Sequence, residues 1–217
     1  MSTRFSNKGR LIQADKPIKF HFNGVQFTGY QGDTLASALL ANGKLLLGRS
    51  FKYHRPRGIV SSGPEEPNFL VNLGKDNFFE PNQRGTMTNI FEGLTATSQN
   101  HFPSLEFDFG EINSWLARFL PAGFYYKMFI HPRPFWKYIY EPLIRMSAGL
   151  GKAPKAKDGS TYEHFHAFYD VVVVGGGIAG LQTALVAGRS GIKVLLIEQH
   201  ASWGGRAQID EDEIDDA

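Results

Sequence analysis

A glycine-rich turn between two apolar runs constrains this chain of 217 residues more than any other feature. The four valines at 171–174 predict a strand that is buried on both faces. Gly-Gly-Gly-Ile-Ala-Gly follows at 175–180 and opens a stretch with helical apolar spacing that ends near Gly191. Lys193–Ile197 predicts a second buried strand. This part of the chain is therefore predicted to fold as strand, glycine turn, helix and strand.

Three glycines of this turn, Gly175, Gly177 and Gly180, have separate physical tasks. Gly175 permits the tight turn from strand to helix, Gly177 leaves the backbone open to a pyrophosphate, and Gly180 lets the helix lie close to the sheet. The N–H groups at the helix N-terminus add a partial positive charge. Glu198, at the end of the second strand, can accept a hydrogen bond from an adenosine ribose hydroxyl, and its charge disfavours a 2′-phosphate. The alternative is a glycine turn that holds no ligand.

A second glycine pair follows this acid. Gly204 and Gly205 are expected to pass near the phosphates, with Arg206 supplying positive charge; the alternative is a simple surface turn. We predict no metal site, because His164 and His166 have no obvious third ligand nearby. We also predict no catalytic side chain. The predicted cofactor-binding residues are Gly175, Gly177, Ile178, Ala179, Gly180, Glu198, Gly204, Gly205 and Arg206.

The first part of the chain has the pattern of a small mixed sheet with a helix packed on it. Apolar and polar residues alternate over 18–28, and the Asn23-Gly24 pair in the middle favours a hairpin turn. Asp33 or Thr34 can cap the helix that follows, and Gly43 supplies a left-handed stop.

These patterns divide the chain into three parts. Residues 10–90 are expected to form the mixed-sheet domain, 91–168 a helical and irregular connecting region, and 169–217 the truncated start of a dinucleotide-binding domain. In the connecting region, apolar residues at helical spacing predict an amphipathic helix over 112–120 and another over 136–144 that breaks at Pro142.

Composition excludes several classes of protein. The chain has no cysteine, so disulfides, thiolate-bound metals and a cysteine nucleophile are excluded, and a cytoplasmic location is expected. No apolar run approaches the roughly 18 residues of a membrane span, so no membrane partner is expected. Six of the seven residues 210–216 are acidic, whereas 49–57 combine four cations with two aromatic rings. That basic segment suits an acidic partner or a solvated loop; nucleic acid is not expected, because the segment is short.

Several longer strings give a more specific signal than the glycine turn. They are Gly32–Leu35, Gly48–Gly58, Glu66–Asn68, Gly123–Lys127, Tyr140–Arg145 and Ala148–Gly151. With these strings the chain resembles the N-terminal part of the alpha subunit of heterotetrameric sarcosine oxidase over nearly all of its length. The resemblance implies an α+β domain followed by an α/β one: a ferredoxin-like β-grasp domain, then the first βαβ unit of a Rossmann-like, two-dinucleotide-binding domain.

The resemblance also implies a set of cofactors. The glycine-rich domain of the family's alpha subunit holds NAD, whereas FAD and FMN belong to the beta subunit of the assembled enzyme. The first domain is similar to a 2Fe–2S ferredoxin that has lost its cluster. Val60, Glu65 and Asn68 stand near the positions where cluster-bearing relatives place cysteines. We therefore expect no iron–sulfur cluster in this chain.

The function implied by the resemblance is that of an oxidoreductase subunit. The family oxidises sarcosine to glycine, passes the one-carbon unit to tetrahydrofolate and forms peroxide, and beta, gamma and delta subunits complete the heterotetramer. The chain is expected to be a fragment, cut inside the dinucleotide domain and inactive alone; a natural short protein is the alternative. The alternatives in function are a subunit of a related amine or amino-acid dehydrogenase and a non-catalytic interaction module.

Overall fold

The computed structural model describes residues 3–5, 9–119, 123, 131–147, 152–200 and 202–210. The chain divides into two compact units, unit 1 (Met1–Ser160) and unit 2 (Thr161–Ala217). Within the described ranges, every helix is too short or too polar to cross a membrane. The predicted helix end at 120–121 and most of the acidic run at 210–216 lie outside the described residues.

Unit 1 contains a five-stranded mixed sheet. In it β1 pairs with β7 in parallel and the other neighbours are antiparallel, in the order β2-β1-β7-β5-β6, while β3 and β4 form a separate two-stranded ribbon. The strands are β1 (Gln13–Phe22), β2 (Val25–Gln31), β3 (Gly48–Arg49), β4 (Pro56–Arg57), β5 (Leu70–Leu73), β6 (Glu80–Arg84) and β7 (Thr95–Ser98). This arrangement is a ferredoxin-like fold, as predicted.

The turn and cap residues behave as their chemistry predicts. Asn23 (φ 50°) and Gly24 (φ 79°) form the β1–β2 turn. Thr34 caps α1 (Leu35–Ala41): its Oγ1 accepts from the N–H of Ser37, and its own N–H donates to Ser37 Oγ. The helix ends before Gly43, which has a φ of 74°.

Asp33 is the buried anion of this region, and Thr34 is the helix cap. The Asp33 side chain is fully buried, and its Oδ2 lies 2.6 Å from Arg4 Nη2 and accepts the N–H of Tyr30 at 2.9 Å. Its Oδ1 accepts the hydroxyl of Ser37 at 2.6 Å. The carboxylate therefore joins the N-terminal segment, β2 and α1 at one point.

The core of unit 1 lies between the sheet and α1. It is formed by Phe20, Phe22, Leu35, Ala36, Ala38, Leu39, Leu47, Phe69, Val71, Ile90, Leu94, Ala96 and Leu105. The sheet continues past the predicted boundary at residue 90, because β7 lies at its centre. The sequence of β7, Thr-Ala-Thr-Ser, has no large apolar residue that would have indicated a strand.

The region after β7 is less helical than predicted. Where a helix was expected over 112–120, α2 covers Ile112–Trp115 and a 3-10 turn covers Ala117–Phe119, with Trp115 exposed. The second helix is formed by α3 (Arg133–Phe135), a π-helical turn (Trp136–Tyr140) and α4 (Glu141–Ser147). Helical residues continue without a gap from 133 to 147, so Pro142 does not break the helix. The irregularity is the π-helical turn that precedes the proline, whose missing N–H removes one helical hydrogen bond.

Unit 2 has the predicted order of strand, glycine turn, helix and strand. Its elements are β8 (Val171–Val174), α5 (Ile178–Arg189), β9 (Val194–Ile197) and α6 (Ala207–Asp210). The two strands are parallel, with Val171 opposite Val194 and Val174 opposite Ile197. Burial on both faces was wrong for β8, since Val172 and Val174 are 53% and 81% exposed. Among the described residues of unit 2, nothing covers that face of the strand.

One loop of unit 1, over residues 60–68, is built around a buried carboxylate. Glu66 is 2% exposed, and its Oε2 accepts the N–H groups of Val60 (2.7 Å) and Ser61 (2.8 Å). Its Oε1 accepts the N–H of Asn68 at 2.8 Å. Hydrogen bonds to an ionised acceptor are stronger than neutral ones. The carboxylate therefore satisfies three donors in a segment that makes few backbone pairs of its own.

We expect Glu66→Gln to destabilise unit 1 by about 1–3 kcal/mol, because the amide nitrogen cannot accept a backbone N–H and leaves part-buried donors unpaired. Urea denaturation of the chain, followed by circular dichroism, measures the change. Glu65→Gln is the matched control, since Glu65 is exposed and adjacent. Equal midpoints for the two variants would show that the loop does not depend on this carboxylate.

Candidate functional site

The glycine turn of unit 2 presents an open stretch of backbone at the start of α5. Gly175 has a φ of 104°, a left-handed conformation that favours glycine, and its N–H bonds the carbonyl of Ile197 at 2.7 Å. A Cβ built on Gly177 would meet no atom within 4 Å. Space is therefore free above the backbone where the helix begins.

Gly180 has the opposite environment. A Cβ at this position would overlap the carbonyl oxygen of Gly175 and lie 3.6 Å from Val173 Cγ1. The first turn of α5 thus lies directly against the glycine turn and near β8. This is the close approach that the sequence predicted, although the nearest atom belongs to the turn itself.

The N-terminus of α5 is a concentration of unpaired donors. The helix has 12 residues, and the first N–H groups, from Ile178 onward, have no acceptor within the helix. Its first turn contains no acidic side chain that would neutralise the positive end of the dipole. The arrangement favours a negatively charged group in the open space beside Gly177.

Glu198 connects the end of β9 to the glycine turn. Its Oε2 accepts the N–H of Gly176 at 2.6 Å, and its Oε1 accepts both the N–H and the Nδ1 of His200 at 2.8 Å. The N–H of His200, followed by that of Gly176, lowers the pKa of Glu198 to about 2. The side chain is therefore an anion at neutral pH.

The second glycine pair belongs to the same structure as the first. The N–H of Gly204 donates to the carbonyl of Gly176 at 2.7 Å, and Gly204 forms a parallel bridge with Gly177. A Cβ on Gly205 would lie 3.2 Å from the Cα of Gly177. The structure thus brings the two turns together, while their contact with phosphates stays a prediction. Arg206 follows, exposed, at the start of α6.

Sequence reasoning missed three residues that shape this site. Gly176 has no room for a side chain, because a Cβ there would overlap the indole of Trp203 and lie 3.1 Å from Glu198 Oε2. His200 adds two hydrogen bonds to the acid. The available signal for Gly176, His200 and Trp203 was that each lies next to a glycine of the motif or within two residues of Glu198 in the sequence.

The basic segment 49–57 and the histidine pair at 164 and 166 do not form part of this site. In the basic segment, Arg49 is buried and donates to the carbonyls of His54 and Leu105, both at 2.9 Å. His164 and His166 are exposed and lie outside any strand. Among the described residues, no group of three or more His, Cys, Asp or Glu side chains is placed to hold a metal ion.

Two protein families match this chain. Residues 15–101 match the family described as 2Fe-2S iron-sulfur cluster binding domain, and residues 170–209 match FAD dependent oxidoreductase. The first range covers the sheet of unit 1, and the second covers the glycine turns, Glu198 and α5.

Curated relatives cover nearly the whole chain. It is 50% identical to the sarcosine oxidase subunit alpha of Rhizobium meliloti (strain 1021) over 99% of its length, which is 22% of that protein. It is 30% identical to the corresponding subunit of Corynebacterium sp. (strain U-96) over 91% of its length and 16% of that protein. The chain thus spans about a fifth of the first of these relatives and less of the second.

A looser likeness is to the crystal structure of L-proline dehydrogenase from P. horikoshii. Its sequence is 19% identical and its TM-score is 0.44, over 90% of this chain and 28% of that one. The overlap is too loose to bear on the fold.

The family match corrects the cofactor expectation. Residues 15–101 match a cluster-binding family, which points to an iron–sulfur cofactor and contradicts the expectation of none. The side chains present do not fit the thiolate ligands that such a cluster takes, since the sequence has no cysteine. In loop 60–68, the Glu66 carboxylate is engaged by three backbone N–H groups. No chemistry of this chain is therefore assigned to a cluster.

The two family matches follow each other along the chain, and the match to the sarcosine oxidase subunits runs through both of them. The structure has a ferredoxin-like sheet in unit 1, and in unit 2 a strand, glycine turn, helix and strand within the residues that match FAD dependent oxidoreductase. On these grounds the chain is a homologue of the alpha subunit of sarcosine oxidase.

Proposed function

We propose that this chain is part of an oxidoreductase subunit of the sarcosine oxidase type and that unit 2 binds an adenine dinucleotide. The observation that carries the proposal is the pair of joined glycine turns, with open backbone at Gly177 and the ionised Glu198 beside it. Within this proposal, residues 169–217 are the opening of the dinucleotide-binding domain.

The pyrophosphate would bind where α5 begins. The N–H groups of Ile178 and Ala179 point along the helix axis into the open space beside Gly177, and they provide both hydrogen bonds and the positive end of the dipole. Gly204 and Gly205, which lie against the same backbone, extend this surface. Arg206 would add a cation to it.

Glu198 would bind the adenosine ribose. Oε1 already accepts two hydrogen bonds from His200, whereas Oε2 accepts one from Gly176, so one lone pair of Oε2 is left for a ribose hydroxyl. The same negative charge repels a 2′-phosphate, which favours NAD over NADP.

The geometry suits the ADP half that NAD and FAD share. The resemblance to sarcosine oxidase alpha subunits favours NAD in this chain, and the match of residues 170–209 to FAD dependent oxidoreductases makes FAD the second candidate. When bound, the dinucleotide supplies hydride transfer. The residues described here hold and orient its ADP half, and none of them is assigned a catalytic role.

The wider activity follows from the relatives. We propose oxidation of sarcosine to glycine in an assembly with beta, gamma and delta subunits, with FAD and FMN in the complete enzyme and tetrahydrofolate as acceptor of the one-carbon unit. A cytoplasmic location belongs to the same proposal. A related amine or amino-acid dehydrogenase is the second candidate, because none of the described side chains is placed to recognise the substrate amine.

Gly177→Leu in the full-length polypeptide is expected to abolish nucleotide binding, because the side chain would fill the space reserved for the pyrophosphate. The nucleotide released from the purified protein by denaturation is quantified by chromatography, which also separates NAD from FAD. Gly188→Leu is the matched control, since a Cβ at Gly188, also in α5, meets no atom within 4 Å. A wild-type protein without nucleotide, or a Gly177 variant with full nucleotide, would refute the site.

Glu198→Gln is expected to weaken dinucleotide affinity about tenfold, because a charged acceptor becomes a neutral one. Since the folded carboxyl has a pKa near 2, below its ordinary value of 4.5, its contribution to stability is complete above about pH 4.5 and disappears as the pH falls towards 2. Thermal melting of the chain between pH 7 and pH 3 measures the second effect.

The glutamine variant should lose part of this acid-dependent decline, whereas Glu163→Gln, at an exposed position of unit 2, should keep it. Identical acid profiles for both variants would contradict the assignment of the lowered pKa to Glu198.

A further inference from the structure

A surface of unit 1, apart from the glycine turns, combines exposed aromatic rings with exposed cations. We name it the aromatic–basic face and define it as residues 51–57 together with residues 107–115. Its exposed apolar side chains are Phe51, Phe107, Phe109, Ile112 and Trp115. Trp115 is 87% exposed, the extreme case among them. Large apolar side chains that are exposed together on neighbouring segments mark sites of interaction.

The two segments of the face are fixed to each other by buried polar contacts. His54 Nδ1 lies 2.6 Å from Asp108 Oδ2, with both side chains nearly buried. Arg49 anchors the neighbouring stretch by donating to the carbonyls of Leu105 (2.9 Å) and Glu106 (3.1 Å). At the rim, Arg55 Nε donates to Ser114 Oγ at 3.2 Å. The rings and cations are therefore presented on a preformed surface, which lowers the entropy cost of binding.

The charge of the face is positive. The two carboxylates of the second segment already have partners, since Glu111 pairs with Arg49 and the buried Asp108 contacts His54. Arg55 and Arg57 are exposed and form no ion pair with any carboxylate that the structure describes. An acidic surface is the electrostatic complement of these two cations.

We propose that the aromatic–basic face docks an acidic, partly apolar surface of a partner subunit, with Trp115 as the buried anchor and Arg55 and Arg57 at the rim. Trp and Arg are the residue types that dominate binding energy at protein interfaces. The inference rests on the proposed function as an enzyme subunit and deepens it by locating one docking surface.

A protein partner fits the face better than a nucleic acid does. Stacking of bases requires free ring faces, yet the ring of Tyr53 already lies under Lys52 Nζ (4.8 Å) and the Arg55 guanidinium (4.9 Å). Phe107 and Phe109 pack edge-on against each other, with centroids 5.2 Å apart. Such a compact cluster suits insertion into an apolar pocket.

The test uses the full-length polypeptide, co-expressed with the subunits encoded beside its gene. Trp115→Ala, and separately Arg55→Glu with Arg57→Glu, are expected to weaken assembly at least about tenfold, as measured by analytical ultracentrifugation. Added salt should weaken assembly of the wild-type polypeptide by screening Arg55 and Arg57, and the double variant should no longer show this salt dependence. Lys16→Glu with Lys19→Glu is the matched control, since both lysines are exposed on β1. Melting temperature and nucleotide content report the fold and the glycine-turn site.

The outcomes separate the two levels of proposal. Assembly that survives both face variants overturns the docking surface and leaves the subunit proposal intact. A wild-type polypeptide that assembles with no subunit overturns both, whatever its nucleotide content. Binding of a labelled single-stranded oligonucleotide that Arg55→Glu with Arg57→Glu abolishes would assign the face to nucleic acid and overturn the protein partner. Because Trp115 is almost fully exposed, its truncation tests the surface without loss of packing.

Discussion

In each unit, a glutamate carboxylate collects backbone N–H groups of an irregular segment that secondary structure leaves unpaired. Glu66 does so for loop 60–68, and Glu198 does so for the glycine turn and the residues after β9. Backbone donors without a partner are costly, so the glutamate carboxylate accepts the hydrogen bonds that a neighbouring strand would otherwise accept. The open backbone at Gly177 depends on this arrangement, because Glu198 holds the neighbouring Gly176 in place.

The same chemistry bears on the disagreement between the family match and the sequence of unit 1. The family is described by cluster binding, and the fold of the sheet agrees with it. The loop over 60–68 nevertheless contains carboxylate and hydroxyl side chains in place of thiols. Its N–H donors converge on Glu66, as they would converge on any bound anion. The loop conformation can therefore be maintained by the chain's own residues.

Local chemistry was predictable from the sequence, and long-range pairing was not. The Asn23-Gly24 turn, the helix cap and the first glycine turn depend on residues within a few positions of each other. Both turns were predicted, and the cap was limited to Asp33 or Thr34, of which the structure has Thr34. The parallel pairing of β7 with β1 joins distant segments through an unremarkable Thr-Ala-Thr-Ser sequence. Likewise, the contact of Gly204 with the first turn requires the chain to return after β9. The exposure of Val174 depends on how many strands surround β8, which its four valines do not indicate.

The indole of Trp203 lies against Gly176, at the position that the glycine motif leaves unspecified. In this chain that position tolerates no side chain, because the ring and the Glu198 carboxylate occupy its space. Positions 176 and 203 should therefore change together during divergence: a larger residue at the first requires a smaller one at the second. A motif pattern that treats position 176 as variable omits this coupling.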